Sequence, residues 1–521
     1  MNRAYIRRKP GTLARSTNIR APLSFEKATN DRCPVGGQEC PRYEEPAATA
    51  TQEGLLAFLL KPASYPHRPT QVRFVQTHSA FVFIAPPFVF KVKKPVNLGF
   101  LDFSTLAKRR HFCQREVELN RRLSPRVYLG VVPIWVRDGR LTFRPGEEIV
   151  EYAVKMRQLS QPYFLDQLLA RGAVKPKDLD RIAATLQRFY RAQHPTSRIT
   201  AWGGIARLRI STDENFRQTA KYVEHTLSGA AYHGIRQYTD QFFKNHADLL
   251  RARVREKWIR DCHGDLHLEH VHLTRRSLHI YDCIEFNDRL RYVDVASDVA
   301  FLAMDLDYKG RPDLARYFTQ RMASELSDDG MQRLMDFYKC YRAYVRGKVE
   351  RLQSAEPSAT AAERKASTKR ARRYFQLALR YAVAGSQPLI LAVTGRIASG
   401  KSTLAKGLSA ELGWPIYSSD RVRKKRAGLP LHRRSDAAAR HRLYANAITE
   451  KTYQKLLALA EAEVRADRSV ILDATFARPQ HRAALVQRAR RLGVDCRFIE
   501  AQASDAAVKQ RLRARGQKQK E

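Results

Sequence analysis

"CHGDLHLEHVHL", residues 262–273, sets one aspartate, Asp265, directly after a glycine and among four histidines and a cysteine. A carboxylate in such a loop can accept the proton of an attacking hydroxyl. The imidazoles can bond backbone, donate to phosphate or bind a metal ion. The stretch lies between helical text and a short strand pair, "HVHLTRRSLHIYDCIEF". Asp282 ends the second β run of that pair, where its carboxylate offers a hard oxygen to magnesium. His270 stands five residues after Asp265 and is the further candidate for the metal position.

Working outward, 521 residues suffice for two or three domains, and 44% hydrophobic residues let most of the chain fold. The net charge is 94 − 52 = +42. Such a balance suits phosphate-rich partners, nucleotides and nucleic acid among them. It equally suits a basic proteome, because Lys and Arg are spread along the whole chain. The cysteines (Cys33, Cys40, Cys113, Cys262, Cys283, Cys340, Cys496) include no C-x-x-C pair. That argues against a disulfide framework or zinc ribbon and for a reducing compartment. No apolar run is long enough for a bilayer: "AFVFIAPPFVF" is broken by Pro86 and Pro87. With no apolar secretion signal at the start, a cytoplasmic location is expected. The Arg-rich beginning, free of acids before Glu26, has a composition that transit peptides share. A disordered extension or an early start codon accounts for it as well.

Residues 1–50 have no periodicity and are expected to be disordered. A first folded domain is expected over 51–353. It opens with the β runs "TQVRFVQTH", "AFVFIA" and "FVFKVKK" and the helical "STLAKRRHFCQREVELNRRL". Two more β runs, "GVVPIWVRDG" and "EYAVKMRQL", follow. Residues 163–260 and 294–350 read as helices. The polar "SAEPSATAAERKASTKRAR" places a linker and connecting helix at 354–386. From 387 to 521 strands and helices alternate, with a long helix near 437–466.

In that last part, "LILAVTGRIASGKST" has the spacing G-x-x-x-x-G-K-S, after an apolar β run and before an amphipathic helix. This is the setting of a phosphate-binding loop. Backbone N–H groups of Gly395, Ser399, Gly400, Lys401, Ser402 and Thr403 would wrap the phosphates of ATP at a helix N-terminus. Lys401 would reach the terminal phosphates, and Ser402 would ligate Mg2+. Asp473 ends the strand "SVILD" and would orient the magnesium through water. Asp420 ends "WPIYSSD". It is either a base toward a substrate hydroxyl or the N-cap of the helix opening at "RVRKKR". Arg511 and Arg515, at i and i+4 in "VKQRLRARG", either clamp transferring phosphates or form a solvated basic face.

Residues 388–516 are similar to the small P-loop kinases of the polynucleotide-kinase, gluconate-kinase and zeta-toxin type. "GRIASGKST", "YSSDRVRK", "VILDATF" and "RLRAR" stand in the expected order. Those domains carry a fifth strand and a closing helix after the lid. Here "GQKQKE" ends the sequence 126 residues after Gly395 (521 − 395). The resemblance therefore implies a domain shortened at its C-terminus, without its last strand.

The first domain supplies a strand-borne Lys and a helix-borne Glu in order. Lys91 sits on the third β run, with Lys93 on the same face, because strand side chains alternate. Glu116 lies on the following helix, with Glu118 as runner-up. Together with HGD and Asp282, these residues resemble the aminoglycoside-phosphotransferase-like kinases, and more narrowly bacterial proteins that fuse such a domain to a P-loop kinase. "KVKKPVNLGFLDFSTLAKRRHFCQREVELNRRL", "DCIEFNDRLRYVDVASDVAFLAMDL" and "YRAYVRGKV" carry the resemblance over roughly residues 52–516. It implies an α+β two-lobed protein-kinase-like domain followed by an α/β three-layer P-loop domain with a mostly parallel sheet. It also implies Asp265 as base, Asp282 as magnesium ligand and a Lys91–Glu116 pair at the ATP phosphates. Asp294 and Asp298 are read as caps or Arg partners. The acceptor is expected to be a hydroxylated small molecule of open identity, since such folds phosphorylate antibiotics, choline, sugars and other alcohols.

Loops of this kind carry Asn where this chain has His270. Three readings stand side by side. One metal on Asp282 suffices and His270 touches phosphate, or the domain binds nucleotide without turnover. In the third, Cys262, His263, His267, His270 and His272 make a transition-metal site. The leading expectation is an ATP- and Mg2+-dependent phosphotransferase. The alternatives are a nucleotide-binding regulator and a nucleic-acid end-processing kinase; the last lacks an interleaved aromatic platform.

Overall fold

The computed structural model describes residues 51–77, 79–355, 359–430 and 443–517, with side chains to 514. The extension expected to be disordered, residues 1–50, lies outside them, as do Cys33, Cys40, residues 437–442 of the expected long helix and the Arg515 side chain.

Alternation along the first β runs builds the small lobe. Strands β1 (Arg73–Gln76), β2 (Ala80–Ala85), β3 (Phe88–Lys93), β4 (Tyr128–Arg137), β5 (Arg140–Thr142) and β6 (Glu148–Arg157) form one sheet. Its order is β1-β2-β3-β6-β4-β5, with every pair antiparallel. Phe81 pairs with Val92 and Phe83 with Phe90. All four are buried on one face with Tyr65 and with Leu59 of helix α1 (Gln52–Leu60). Period two then sends Lys91 and Lys93 to the opposite face. There helix α2 (Leu106–Arg121) crosses, opened by Thr105, whose hydroxyl caps the Lys108 N–H.

The large lobe is helical, as its 3.6-residue patterns predict. It comprises α3 (Leu165–Ala170), α4 (Pro176–Ala192), α5 (Ser197–Thr200), α6 (Ile205–Thr219), α7 (Gly229–Asn245), α8 (Ala247–Arg255), α9 (Asp288–Arg291), α10 (Val295–Tyr308), α11 (Pro312–Leu326) and α12 (Met331–Gln353). Helix α10 is buried on nearly every side and forms the axis of the lobe. Short strands interrupt the helices: β7 (Ile259–Asp261) pairs with β10 (Tyr292–Asp294), and β8 (Val271–Leu273) with β9 (Leu278–Ile280). Arg253 of α8 is buried between Asp294 and Asp328, and Asp294 also accepts the Ala296 N–H to cap α10.

The stretch 354–386 carries α13 (Ala361–Ala384), opened by a Thr360–Glu363 capping box. Its start is polar, but Tyr374, Phe375, Ala378 and Tyr381 further along are buried against α12. A Cβ on Gly347 would come within 2.9 Å of the Phe375 ring, so glycine lets these two helices meet. The same apolar cluster continues into the last part of the chain through Leu389, Leu391, Leu412 and Trp414. There β11 (Leu389–Thr394), β12 (Ile416–Ser418), β13 (Val470–Asp473) and β14 (Asp495–Glu500) form a wholly parallel sheet in the order β12-β13-β11-β14. Helices α14 (Lys401–Leu412), α15 (Ser419–Arg426), Asn446–Arg465, Pro479–Arg491 and Asp505–Gln517 accompany it.

Candidate active sites

The loop 262–270 runs from β7 to β8, and hydrogen bonds with Asp298, Arg342 and Tyr281 help to fix it. Asp298 of α10 accepts the N–H of His263 at 3.0 Å and that of Gly264 at 2.9 Å. Arg342 of α12 donates to the Gly264 carbonyl at 3.0 Å. The His263 ring bonds the Tyr281 carbonyl at 2.9 Å and so ties the loop to the residue before Asp282. Gly264 has φ +86°, and a Cβ there would sit 2.8 Å from the Leu290 carbonyl oxygen; both require glycine. Asp294 is both cap and Arg partner. Asp298 is neither: it spends both oxygens on the loop and on the Tyr190 hydroxyl.

Asp282 has φ +61° and gives its N–H to the Tyr128 hydroxyl of the small lobe at 3.1 Å. Lys91 Nζ lies 2.7 Å from Asp282 and 2.9 Å from Glu116. Lys93, only 2% exposed, reaches Glu116 at 2.8 Å and also pairs with Glu285. Both lysines thus meet Glu116, while Glu118 faces outward and pairs with Arg115. Burial opposes the charge on Asp282, but Lys91 and then His270 outweigh it and hold the carboxyl below its usual range. Burial likewise opposes the charge on Glu116, and Lys91 and Lys93 reverse it. Asp265 stays ionised in spite of burial, chiefly through His267, then His270 and Arg346. Burial pushes His263 and His267 down to about 4.

His270 stands between the two aspartates. Its Nδ1 is 3.6 Å from Asp265 Oδ2, and its Nε2 is 3.5 Å from Asp282 Oδ2. His267 Nε2 is 3.5 Å from Asp265 Oδ2, and the His267 and His270 rings lie 3.8 Å apart between centroids. Among the described residues Asp265, His267 and His270 form the one group of three or more such side chains whose ligand atoms all lie within 4.8 Å of one another. Cys262 instead faces the Val293 carbonyl, and His272 bonds the Ser160 carbonyl. Sequence reasoning gave no role to Glu285 or Arg346. Glu285 stands three residues after Asp282, and Arg346 lies in the quoted "YRAYVRGKV", so both signals were in view.

In the second site β11 runs into Gly395 (φ +139°), Ala398 (φ +66°) and Gly400 (φ +101°) before α14 opens at Lys401. A Cβ on Gly395 would meet the Ala501 carbonyl oxygen at 2.5 Å. Thr403 and Leu404 give their N–H groups to the Gly400 carbonyl, both at 3.0 Å, while Ser402 lies exposed in the first turn. Arg511 donates to the Ala398 carbonyl at 3.1 Å, which brings it to the loop. Asp473 ends β13, in register with Val393 and Ser418 on the neighbouring strands. It is buried, and its Oδ1 meets no partner among the described residues; the same holds for Ser399 Oγ. Asp420 is exposed, with Lys424 at 3.8 Å and Tyr444 at 3.4 Å. The N-cap alternative is corrected: α15 opens at Ser419, so Asp420 lies inside the first turn with Ser418 at the cap position.

The two sites suit different ions. Ser402 and the unpartnered Asp473 oxygen are hard donors that fit Mg2+ beside a nucleotide. The first site instead offers two carboxylates interleaved with two imidazoles, which does not fit an ion that prefers oxygen throughout.

Residues 390–521 match the family AAA_33, described as an AAA domain. Over 422 residues the chain is 33% identical to the uncharacterized proteins Rv2004c of Mycobacterium tuberculosis and Mb2027c of Mycobacterium bovis, covering 81% of this chain and 80% of each relative. Among solved structures, a choline/ethanolamine kinase family protein from Mesorhizobium loti aligns at 12% identity over 63% of this chain and 98% of its own, with a TM-score of 0.36. A gluconokinase from Sinorhizobium meliloti aligns at 20% identity over 25% of this chain and 65% of its own, with a TM-score of 0.17. The chain thus belongs to one family with Rv2004c and Mb2027c, and within it joins a two-lobed α+β part to a C-terminal part with a parallel sheet that matches AAA_33.

Proposed function

We propose that the protein is an ATP-dependent phosphotransferase with two nucleotide sites, transferring the γ-phosphoryl group to a hydroxyl of a small molecule. The observation that carries this reading is the gathering of Lys91, Glu116, Asp282 and the Asp265 loop across the two lobes. Lys91 supplies positive charge for nucleotide phosphates, held in place by Glu116. Asp265 is ionised and partly open to solvent, as a base that takes a hydroxyl proton must be. The fixed backbone of residues 263–265 keeps it in place, and catalysis of this type rests on positioning and charge stabilisation. In the second site Lys401 and Arg511 serve the phosphates, Asp420 serves the acceptor hydroxyl, and Ser402 with Asp473 would hold Mg2+, which neutralises phosphate charge. The basic surface also suits nucleic acid, but the phosphotransferase centres account for the chain better than a nucleic-acid platform does.

The test is product formation from γ-labelled ATP across a library of hydroxylated metabolites, with wild type beside Asp265→Ala and Lys401→Ala. A labelled product lost in one variant and kept in the other assigns the reaction to a site. ATP binding without any product or hydrolysis in wild type replaces this reading with a nucleotide-binding regulator.

A further inference from the structure

His270 Nδ1 lies 2.9 Å from the carbonyl oxygen of Asp265. A carbonyl only accepts, so Nδ1 carries a proton, and in the neutral ring the lone pair is on Nε2. That lone pair faces Asp282 Oδ2 at 3.5 Å. The other oxygen of Asp282 already accepts from Lys91 at 2.7 Å. With the ring neutral, two electron-pair donors face each other between the Asp265 loop and Asp282. Their separation is longer than a tight N–H···O bond and equals that of a loose ion pair when the ring is protonated. It is the span of two donors about 110° apart around an ion about 2.1 Å from each, the angle of a tetrahedral site. Octahedral magnesium with similar bonds would draw them to about 3.0 Å. His267, 3% exposed, packs its ring against that of His270 at 3.8 Å between centroids and a tilt of 36°.

We propose that the first site takes a borderline divalent cation, of the Mn2+, Co2+ or Zn2+ kind, through His270 Nε2 and Asp282 Oδ2, in preference to Mg2+. Imidazole nitrogen favours these ions, whereas magnesium sheds water reluctantly for nitrogen. Asp265 is left free as the base. The purpose of the ion rests on the phosphotransferase reading; its binding does not.

The experiment uses the full chain without nucleotide. Co2+, Mn2+ and Mg2+ are titrated in turn, and bound Mn2+ is read by pulsed electron paramagnetic resonance for coupling to imidazole nitrogen. Native protein is expected to bind Co2+ and Mn2+ at least about tenfold more tightly than Mg2+ and to show the nitrogen coupling. His270→Asn is expected to lose the coupling and about tenfold or more in Co2+ affinity, with Mg2+ affinity kept. Asp282→Asn should weaken all three ions. Equal affinity for Mg2+ and Co2+, or native Mn2+ without nitrogen coupling, overturns the proposal, and neither measurement needs a variant to fold. Coupling that survives His270→Asn but vanishes in His267→Asn places the ion on the Asp265 side and overturns it too. Metal binding without turnover removes the phosphotransferase reading alone. Turnover with Mg2+ and no Co2+ binding removes this one alone.

Discussion

Lys91 Nζ lies 2.7 Å from Asp282 Oδ1 across 191 residues of chain. The bond joins the third strand of the small lobe to the loop after β9, so one side chain registers the closure of both lobes. Glu116 holds the same ammonium at 2.9 Å from the other side.

Lys91→Met should therefore lower kcat/KM of the first site by about 100-fold, the scale seen when one donor to transferring charge is removed. The fold should survive, because Lys93 still pairs with Glu116. Phosphoryl transfer, or ATP hydrolysis in a Lys401→Ala background, measures it. A change of less than threefold would remove Lys91 from the nucleotide site.

Lys93→Met should do the opposite: a large loss of stability. Lys93 is 2% exposed between Glu116 and Glu285, and its removal leaves two buried carboxylates without their shared cation. Breaking such a group costs about 3–5 kcal/mol. Urea unfolding of the two lysine variants side by side checks the contrast. Equal midpoints would mean that the two lysines share one role.

Lys401→Ala should reduce ATP binding on the full chain from two equivalents to one, with the unfolding midpoint unchanged. Lys401 sits at the start of α14, and in the proposed role it supplies charge to phosphates rather than packing. Isothermal calorimetry counts the sites. Two equivalents in the variant would sink the P-loop assignment.

A fragment of residues 387–521 should fold poorly, whereas 359–521 should fold better. The shorter piece bares Leu389, Leu391, Leu412 and Trp414, which share their cluster with α13. It also loses Arg380 and Gln376, which donate to the Leu412 carbonyl at 2.6 Å and the Ala410 carbonyl at 3.2 Å at the end of α14. Circular dichroism melts of both pieces test this, and equal melting points would show that α13 is dispensable.

Much of this was legible because it is local. Period two put Lys91 and Lys93 on one face, and both reach Glu116. The glycine spacing marked the bend from β11 into α14. What stayed hidden is relational. The choice between Lys91 and Lys93 has no answer in the strand, since each pairs with a different second carboxylate. Asp298 reads as a cap because it lies near a helix start, yet its oxygens serve a loop more than thirty positions earlier in sequence. The polar opening of α13 looks like linker text, while its apolar face depends on partners from both sides. Three-residue β5 is too short to show any period.

The place of α13 also orders events during synthesis. Gln376 and Trp414 are 38 residues apart (414 − 376). At roughly 5–20 residues per second the ribosome needs about 2–8 s to cover that distance. Late in that interval α13 can already lie on the helical lobe, with its other side still waiting for its cover. The nascent chain thus passes through an interval in which a folded lobe displays an unfinished surface.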